Sequence, residues 1–347
     1  MPDAETLGYD PCGGLPPEDD YCALDQPAGA TLYGENHAFW FFDAQNQAHA
    51  YNHVDAFQHF YELRTERNWL IFPDGRVLYN WTEAAHTSRR KAGGGCLTFT
   101  CIEPFRRWTI DYLGTMRISS ADEMAQGPAQ EGPRAVVEYH CDVVTAAEPW
   151  KQGEGYAFGD TRYEQLFRMT GRLKTSQGDD LRLSGAGVRT HRRGRRALEP
   201  RNWFGHGWQT ALFPSGRGFG LKRFPGQDGP EGRAHPAWSE AYVLDRGRVV
   251  PAEVIESAWL DDFTPSGGTV RVRLRSALGE ADIAGEVLGT SWRTMSIGRA
   301  AENLREFGVR GRPGEYVMAQ GAARWTWDGE SVIGHIERSA LGSSLRR

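Results

Sequence analysis

Thr269-Val-Arg-Val-Arg-Leu-Arg275 is the stretch on which the fold turns. Val270, Val272 and Leu274 occupy alternate positions, with Arg271, Arg273 and Arg275 between and after them. A helix would scatter both sets around its circumference. A strand puts the aliphatic side chains on one face and the guanidinium groups on the other. The stretch therefore reads as a half-buried β-strand, apolar toward a core and charged toward water.

The same period of two recurs on both sides. Before it come Arg76-Val-Leu-Tyr-Asn-Trp81 after the turn Pro73-Asp74-Gly75, then Cys96–Ile102, Trp108–Leu113 and Ala135–Cys141. After it come Ala281–Val287, Glu315–Met318, Ala323–Trp327 and Val332–Glu337. Each run is short and bounded by Gly, Pro, Asp or Ser, as antiparallel strands are. Two segments read as helices: Asp55–Arg67, with Phe57, Phe60, Tyr61 and Arg64 at three- and four-residue spacings, and Ile297–Phe307. Residues 120–133 read as a polar loop.

Composition agrees with a β fold. The chain has 347 residues, 39% hydrophobic and 24% charged, which excludes a disordered chain; 42 glycines, 18 prolines and 12% aromatics favour turns and strands over a helical bundle. No run approaches the ~18 apolar residues of a membrane span. The opening MPDAETLGYDPCGG has neither the basic start nor the apolar run of a signal peptide, so a cytoplasmic location is expected. A net charge of −5 argues against a nucleic-acid partner. The five cysteines form no CxxC pair and read as reduced thiols. With no βαβ alternation and no repeat, the expected architecture is all-β: two antiparallel β-barrel or sandwich domains with few short helices. Residues 1–32 read as an extended lead-in, 33–195 as the first domain and 196–347 as the second, the boundary falling in the Arg/Gly-rich stretch near 189–203.

That stretch is also the densest in chemistry. Gly185-Ala-Gly-Val-Arg-Thr-His191 runs into Arg192, Arg193, Arg195 and Arg196, so five arginines and His191 share eight residues. Arg189, Arg192 or Arg193 are candidates to hold a carboxylate by paired N–H donors, against a solvated connection paired to surface acids. His206, between Gly205 and Gly207 and flanked by Trp203, Phe204 and Trp208, combines small neighbours, apolar walls and a ring that exchanges protons near neutral pH. Asp261 and Asp262, after Trp259, offer a general acid if one is buried beside an aromatic. Tyr242 joins the candidate substrate-binding residues. His49, His53, His59 and Asp55 follow a strand-like pattern, so a polar lining is preferred to a metal site, and no metal or cofactor is expected. Gly-x-Ser-x-Gly, the P-loop and HExxH are all absent from the sequence.

The order of motifs resembles the carotenoid 1,2-hydratase (hydroxyneurosporene synthase)-like and AttH-like proteins, in a bacterial branch of that group. The resemblance runs from about residue 33 to 341 through Glu35-Asn-His-Ala-Phe-Trp-Phe-Phe42, Glu103-Pro-Phe-Arg-Arg-Trp108, Tyr163-Glu-Gln165 leading to Thr170-Gly171, Gly185–His191, Trp208 with Gly216, and Trp327-Asp-Gly329 with Gly334-His-Ile-Glu337. It implies a pair of lipocalin-like barrels joined face to side. It also implies proton-driven water addition to an alkene, using a His-x-Trp block and an acid in a Gly-Trp-Asp-Trp-like block. This chain keeps His191 but has Arg193 in place of the Trp, and Gly207 stands where the acid would be, with His206 before it and Trp208 after. The expected function is acid–base catalysed hydration, dehydration, isomerisation or cyclisation of a hydrophobic unsaturated small molecule (isoprenoid, steroid or polyketide-like) in an aromatic pocket between the barrels. His191, His206 and Asp261 would carry catalysis, and Arg189, Arg193, Trp203, Phe204, Trp208 and Tyr242 would bind substrate. The alternative is a carrier for a hydrophobic ligand; a homodimer is compatible with either.

Overall fold

Alternating strands pair into two closed antiparallel barrels. The structure, a computed structural model, describes residues 8–346 except 31–32, 57–61, 86–87, 128–131, 153–160, 196–204, 226, 229–233, 236, 296–304 and 308–315. The first barrel is an up-and-down ring of β1 (Tyr33–Asp43), β2 (His49–Ala56), β3 (Leu63–Ile71), β4 (Arg76–Ala85), β5 (Arg107–Ser120), β6 (Arg134–Thr145), β7 (Thr161–Thr175) and β8 (Asp180–Arg195). β1 pairs with β8, and β4 pairs with β5 to close the ring. The second ring contains β9 (Gly205–Leu212), β10 (Gly218–Phe224), β11 (Trp238–Asp245), β12 (Arg248–Glu256), β13 (Thr269–Ser276), β14 (Gly279–Met295), β15 (Tyr316–Trp327) and β16 (Glu330–Leu341). It closes through β9–β16 and β13–β14. Closure removes the free edges an open sheet would expose.

β13 behaves as its pattern predicts. Val272 and Leu274 are buried in the second barrel, while Arg271 pairs with Asp282 and Arg275 with Glu280 and Glu253 on the outside. Neither expected helix forms among the described residues. Asp55 and Ala56 end β2, and Leu63–Arg67 open β3, with His53 opposite Arg67 across the hairpin. The helical spacing came from aromatics at 57, 60 and 61, which lie outside the described residues. Of Ile297–Phe307, residues 297–304 lie outside them, and Arg305–Phe307 form a short strand on the end of β14. Conversely, the expected loop after β5 contains α1 (Ala121–Gln126), started by Ser120, whose hydroxyl accepts the Glu123 N–H at 3.2 Å. It packs on β14 of the second ring.

Among the described residues, strand parity divides the interior into three apolar clusters. Odd positions of β1 (Phe39, Phe41) join Phe99, Trp108, Tyr139 and Phe167 inside the first barrel. Phe219, Leu221, Ile283 and Trp325 fill the second. Eight strands enclose a lumen that side chains of this size occupy, so each barrel has a packed core. Even positions of β1 (Trp40, Phe42) face the other way and meet Trp208, Leu212 and Ile333 in a third cluster, the junction of the two barrels.

The N-terminal segment is folded against the first barrel, where an extended lead-in was expected. A turn of 3-10 helix at Pro17–Asp20 delivers Asp20 to a fully buried position. There its carboxylate accepts Arg189 Nη1 at 2.7 Å, Trp108 Nε1 at 3.0 Å, the Phe105 N–H and the Tyr163 hydroxyl.

Candidate functional site

At the junction β9 and β16 run antiparallel, with His206 opposite Ser339, Trp208 opposite Glu337 and Thr210 opposite His335. Because alternate residues share a face, this register gathers His206, Trp208, His335, Glu337 and Ser339 on the side facing the first barrel. His206 Nε2 lies 2.6 Å from Glu337 Oε1, and its Nδ1 lies 2.8 Å from the Tyr316 hydroxyl and 2.5 Å from Ser339 Oγ. Gln320 donates to the other Glu337 oxygen. All of these side chains are buried. Nε2 faces the carboxylate and Nδ1 faces the two hydroxyls, so the ring bridges them. The result is a hydroxyl–imidazole–carboxylate relay.

Burial alone would raise the pKa of Glu337. The hydrogen bond and charge of His206, helped by His335 and Arg293, outweigh burial and hold the carboxyl well below its ordinary range. His335 is the opposite case. Burial is the main cause that lowers its pKa to about 3, so the ring is neutral. Neither of its nitrogens has a partner among the described residues, nor do the indole nitrogens of Trp40 and Trp208 beside it. The His335 ring lies 4.6 Å from Trp208 and 5.2 Å from Trp40, and the two indoles meet edge to face at 4.7 Å across the junction. Tyr51 stacks on Trp69 at 3.7 Å, and Arg293 lies over both rings. Buried donors and acceptors without partners are costly, and at an aromatic seam they suit a bound molecule or water.

Trp208 also carries a cation. Lys222, directly across from Trp208 in the β9–β10 register, sits with Nζ 4.2 Å above the indole and 2.7 Å from Glu164 Oε2 on β7. Tyr242 lies in the same layer, 4.9 Å from Trp150; burial first, then the Glu164 charge, push its hydroxyl pKa up. Gly220 opposite Tyr242 is needed for space, since a Cβ there would come within 2.4 Å of the Tyr242 ring.

The structure separates residues that the sequence suggested would act together. His206, Trp208 and Tyr242 lie at the junction. His191 lies inside the first barrel, 2.9 Å from Glu35 and 3.3 Å from the Tyr163 hydroxyl, because odd positions of β8 point into that lumen. Burial lowers its pKa to about 3. Arg189 is buried on Asp20 and Gln165, and Arg193 pairs with Asp19 and Glu35. This set is tied to the first barrel and its N-terminal segment, on the far side of β1 and β8 from His206. Asp261 is exposed in the loop after β12 and is not the buried acid expected there. Trp203 and Phe204 lie outside the described residues. The carboxylate at the site is Glu337, together with His335, Tyr316 and Gln320. The sequence carried one signal for it, the alternation of His335, Glu337 and Ser339. Position 207 could not supply the acid in this fold, since a side chain there would run into the Ala258 carbonyl at 2.8 Å, on the second barrel's inner side.

Glu35, His37 and His191 place potential ligand atoms within 4.8 Å of one another. The two imidazoles, however, stack face to face at 3.9 Å, so their lone pairs run side by side instead of converging on one ion. Arg64 and Arg193 already flank Glu35, at 3.6 and 3.8 Å.

The barrel pair has solved counterparts. A crystal structure provisionally described as AttH from Nitrosomonas europaea aligns over 92% of this chain and 97% of that one, with a TM-score of 0.55 and 16% identity. Kievitone hydratase from Nectria haematococca aligns over 92% of this chain and 91% of that one, with a TM-score of 0.50 and 10% identity. At such identities the likeness is one of fold. No curated protein matches the sequence. A family model matches from the 3-10 turn that carries Asp20 to the end of β16, residues 16–341, spanning both barrels and the junction; the chain belongs to the family described as domain of unknown function DUF7064.

Proposed function

We propose that the junction is the active site of a cofactor-independent enzyme that adds, removes or relocates a proton on a hydrophobic unsaturated molecule, as in hydration, dehydration or isomerisation. The observation that supports this reading is the buried His206–Glu337 pair beside the ring of His335, whose nitrogens have no partner among the described residues, inside an aromatic seam. Glu337 orients His206, so the ring is placed to pass a proton to or from the Tyr316 and Ser339 hydroxyls. Trp40 and Trp208 supply flat faces for an unsaturated frame and for positive charge developing on it. His335, held neutral, offers one N–H and one lone pair to a polar substituent of the ligand. The kievitone hydratase neighbour is named for a reaction of this class, and the hydratases of the resemblance share it. Here the acid would come from β16.

The test is solvent-isotope uptake. The chain is incubated in deuterated, ¹⁸O-enriched water with a prenylated phenol, a linear polyene and a steroid enone, and the products are weighed by mass spectrometry. One class is expected to acquire label. His206→Ala should reduce that turnover by at least ~100-fold while changing ligand affinity by less than about tenfold, or ~1.4 kcal/mol. Glu337→Gln keeps the shape and loses the charge, and should show a loss of similar size. Unchanged turnover in both variants removes the relay from the mechanism. Tight ligand binding with no label in any class turns the reading into carriage.

A further inference from the structure

We propose that Lys222 is a carbonyl-capturing amine, forming an imine with an aldehyde or ketone borne on an aromatic or unsaturated frame that stacks beside Trp208. This goes beyond the proton relay and adds covalent chemistry beside the same indole.

The first observation is one of residue choice. Of the 40 basic residues only four are lysines, Lys91, Lys151, Lys174 and Lys222. The first three are exposed. Where the protein buries a cation it otherwise uses arginine, as at Arg64, Arg67, Arg189, Arg192 and Arg293. A guanidinium serves a structural ion pair better than an ammonium does, but it cannot lose its proton and is no nucleophile. The single buried lysine stands out as the one buried cation that can become a neutral amine.

The second observation is the surroundings of Nζ. From β7 come the Glu164 carboxylate at 2.7 Å and the positive charge of Arg162; Glu240 faces it from β11; Trp208 and Trp150 cover it at 4.2 and 5.8 Å. Burial first, and then Arg162, lower the Lys222 pKa to about 7 against the pull of Glu164 and Glu240. Desolvation beside a second cation is how amine nucleophiles are activated at neutral pH. The indoles give an aromatic carbonyl compound a surface to lie on.

The chemistry balances without a further reactant. Glu164 takes one proton from the ammonium form. The neutral nitrogen then attacks the carbonyl carbon, a C–N bond forms, and the carbonyl π electrons move to oxygen. In the second stage the C–O bond breaks and the oxygen leaves as water, carrying the two hydrogens of the amine, and the N=C bond remains.

The test uses the intact chain and two probes, benzaldehyde and propanal, each with cyanoborohydride to fix any imine, followed by peptide mass spectrometry between pH 6 and 8. At pH 7 Lys222 is expected to be alkylated at least about tenfold faster than Lys91, Lys151 or Lys174, because an exposed lysine with a pKa near ~10.4 is almost wholly protonated there. Its labelling should rise through about pH 7 and level off, while that of the other three keeps rising. Benzaldehyde should outrun propanal at Lys222 alone. Glu164→Gln removes the carboxylate that holds the ammonium form, so the rise in Lys222 labelling should move to lower pH. Modification confined to the three exposed lysines, or equal at all four, makes Lys222 a structural ion pair and overturns the proposal. The parent chain alone distinguishes these outcomes.

Discussion

Asp20→Ala is expected to lower the unfolding temperature by on the order of 10 °C, although Asp20 lies in a segment that reads as a lead-in. Its carboxylate is the charge partner of Arg189, and both side chains are buried. Removing it leaves the guanidinium with Gln165 Oε1 as its remaining hydrogen-bond acceptor among the described residues, at 3.1 and 2.8 Å. It also leaves the Phe105 N–H and the Trp108 indole without their acceptor, and takes one partner from the Tyr163 hydroxyl. Breaking one side of a buried pair costs about 3–5 kcal/mol, and each buried donor left unpaired adds about 1–3 kcal/mol. Set against a total of roughly 5–15 kcal/mol, this is a large share of the fold's stability. Asp19→Asn next to it is the control: Asp19 is partly exposed, 3.8 Å from Arg193, and its loss should change little. Thermal unfolding of the two variants decides between roles for Arg189. A melting point for Asp20→Ala within about 2 °C of the parent would show that Arg189 does not depend on Asp20, and would return Arg189 to the substrate-binding set.

The barrels were legible because their signal is local. Thr269–Arg275 shows its two faces within seven residues, and the pairing of Arg271 and Arg275 to acids of neighbouring strands follows once the faces are known. The misread helix at Asp55–Arg67 shows the limit of periodicity. Aromatics at 57, 60 and 61 give helical spacing for a few residues, while the pairing of His53 with Arg67 shows that the chain on either side of them is two strands. The site was half legible. His206 and Trp208 are marked by their own neighbours in the chain. The partners of His206 are not, since Tyr316, Glu337 and Ser339 lie on β15 and β16, more than a hundred residues on, and come within reach through inter-strand register. The same register sends His191 into the opposite compartment, where it stacks on His37, directly across β1. Two histidines fifteen positions apart in an aromatic, arginine-rich stretch look like one site. The direction in which each strand enters its barrel decides that they are two.

The interior histidines also make the fold sensitive to acid. His37, His49, His191 and His335 are buried, and burial is the first cause that holds each below its ordinary value: about 4 for His49, about 3 for His191 and His335, and well below 6.5 for His37. In the unfolded chain each titrates near 6.5. Between that value and the folded one, the unfolded state binds protons that the folded state refuses, so stability rises with pH across the window. The contribution is fully present above about pH 7 and is lost as the pH falls through 6.5 toward 4. Glu337, depressed in the fold, acts in the same sense below the ordinary carboxylate range. Each histidine reaches at most about 1.4 kcal/mol per pH unit, hence about 2 kcal/mol each by pH 5 and on the order of 8 kcal/mol for the four together. That is enough to unfold many domains. Urea midpoints at constant ionic strength should therefore be flat from pH 8 to 7 and fall steeply below 6.5, and His49→Gln, which cannot take up a proton, should make the descent shallower. His49 is the one to change because it touches Gly289 of the second barrel and stands apart from the relay. A midpoint that holds level down to pH 5 would mean that these rings already carry protons in the folded state. Neutral His335 would then no longer be a donor–acceptor partner for a ligand at the junction.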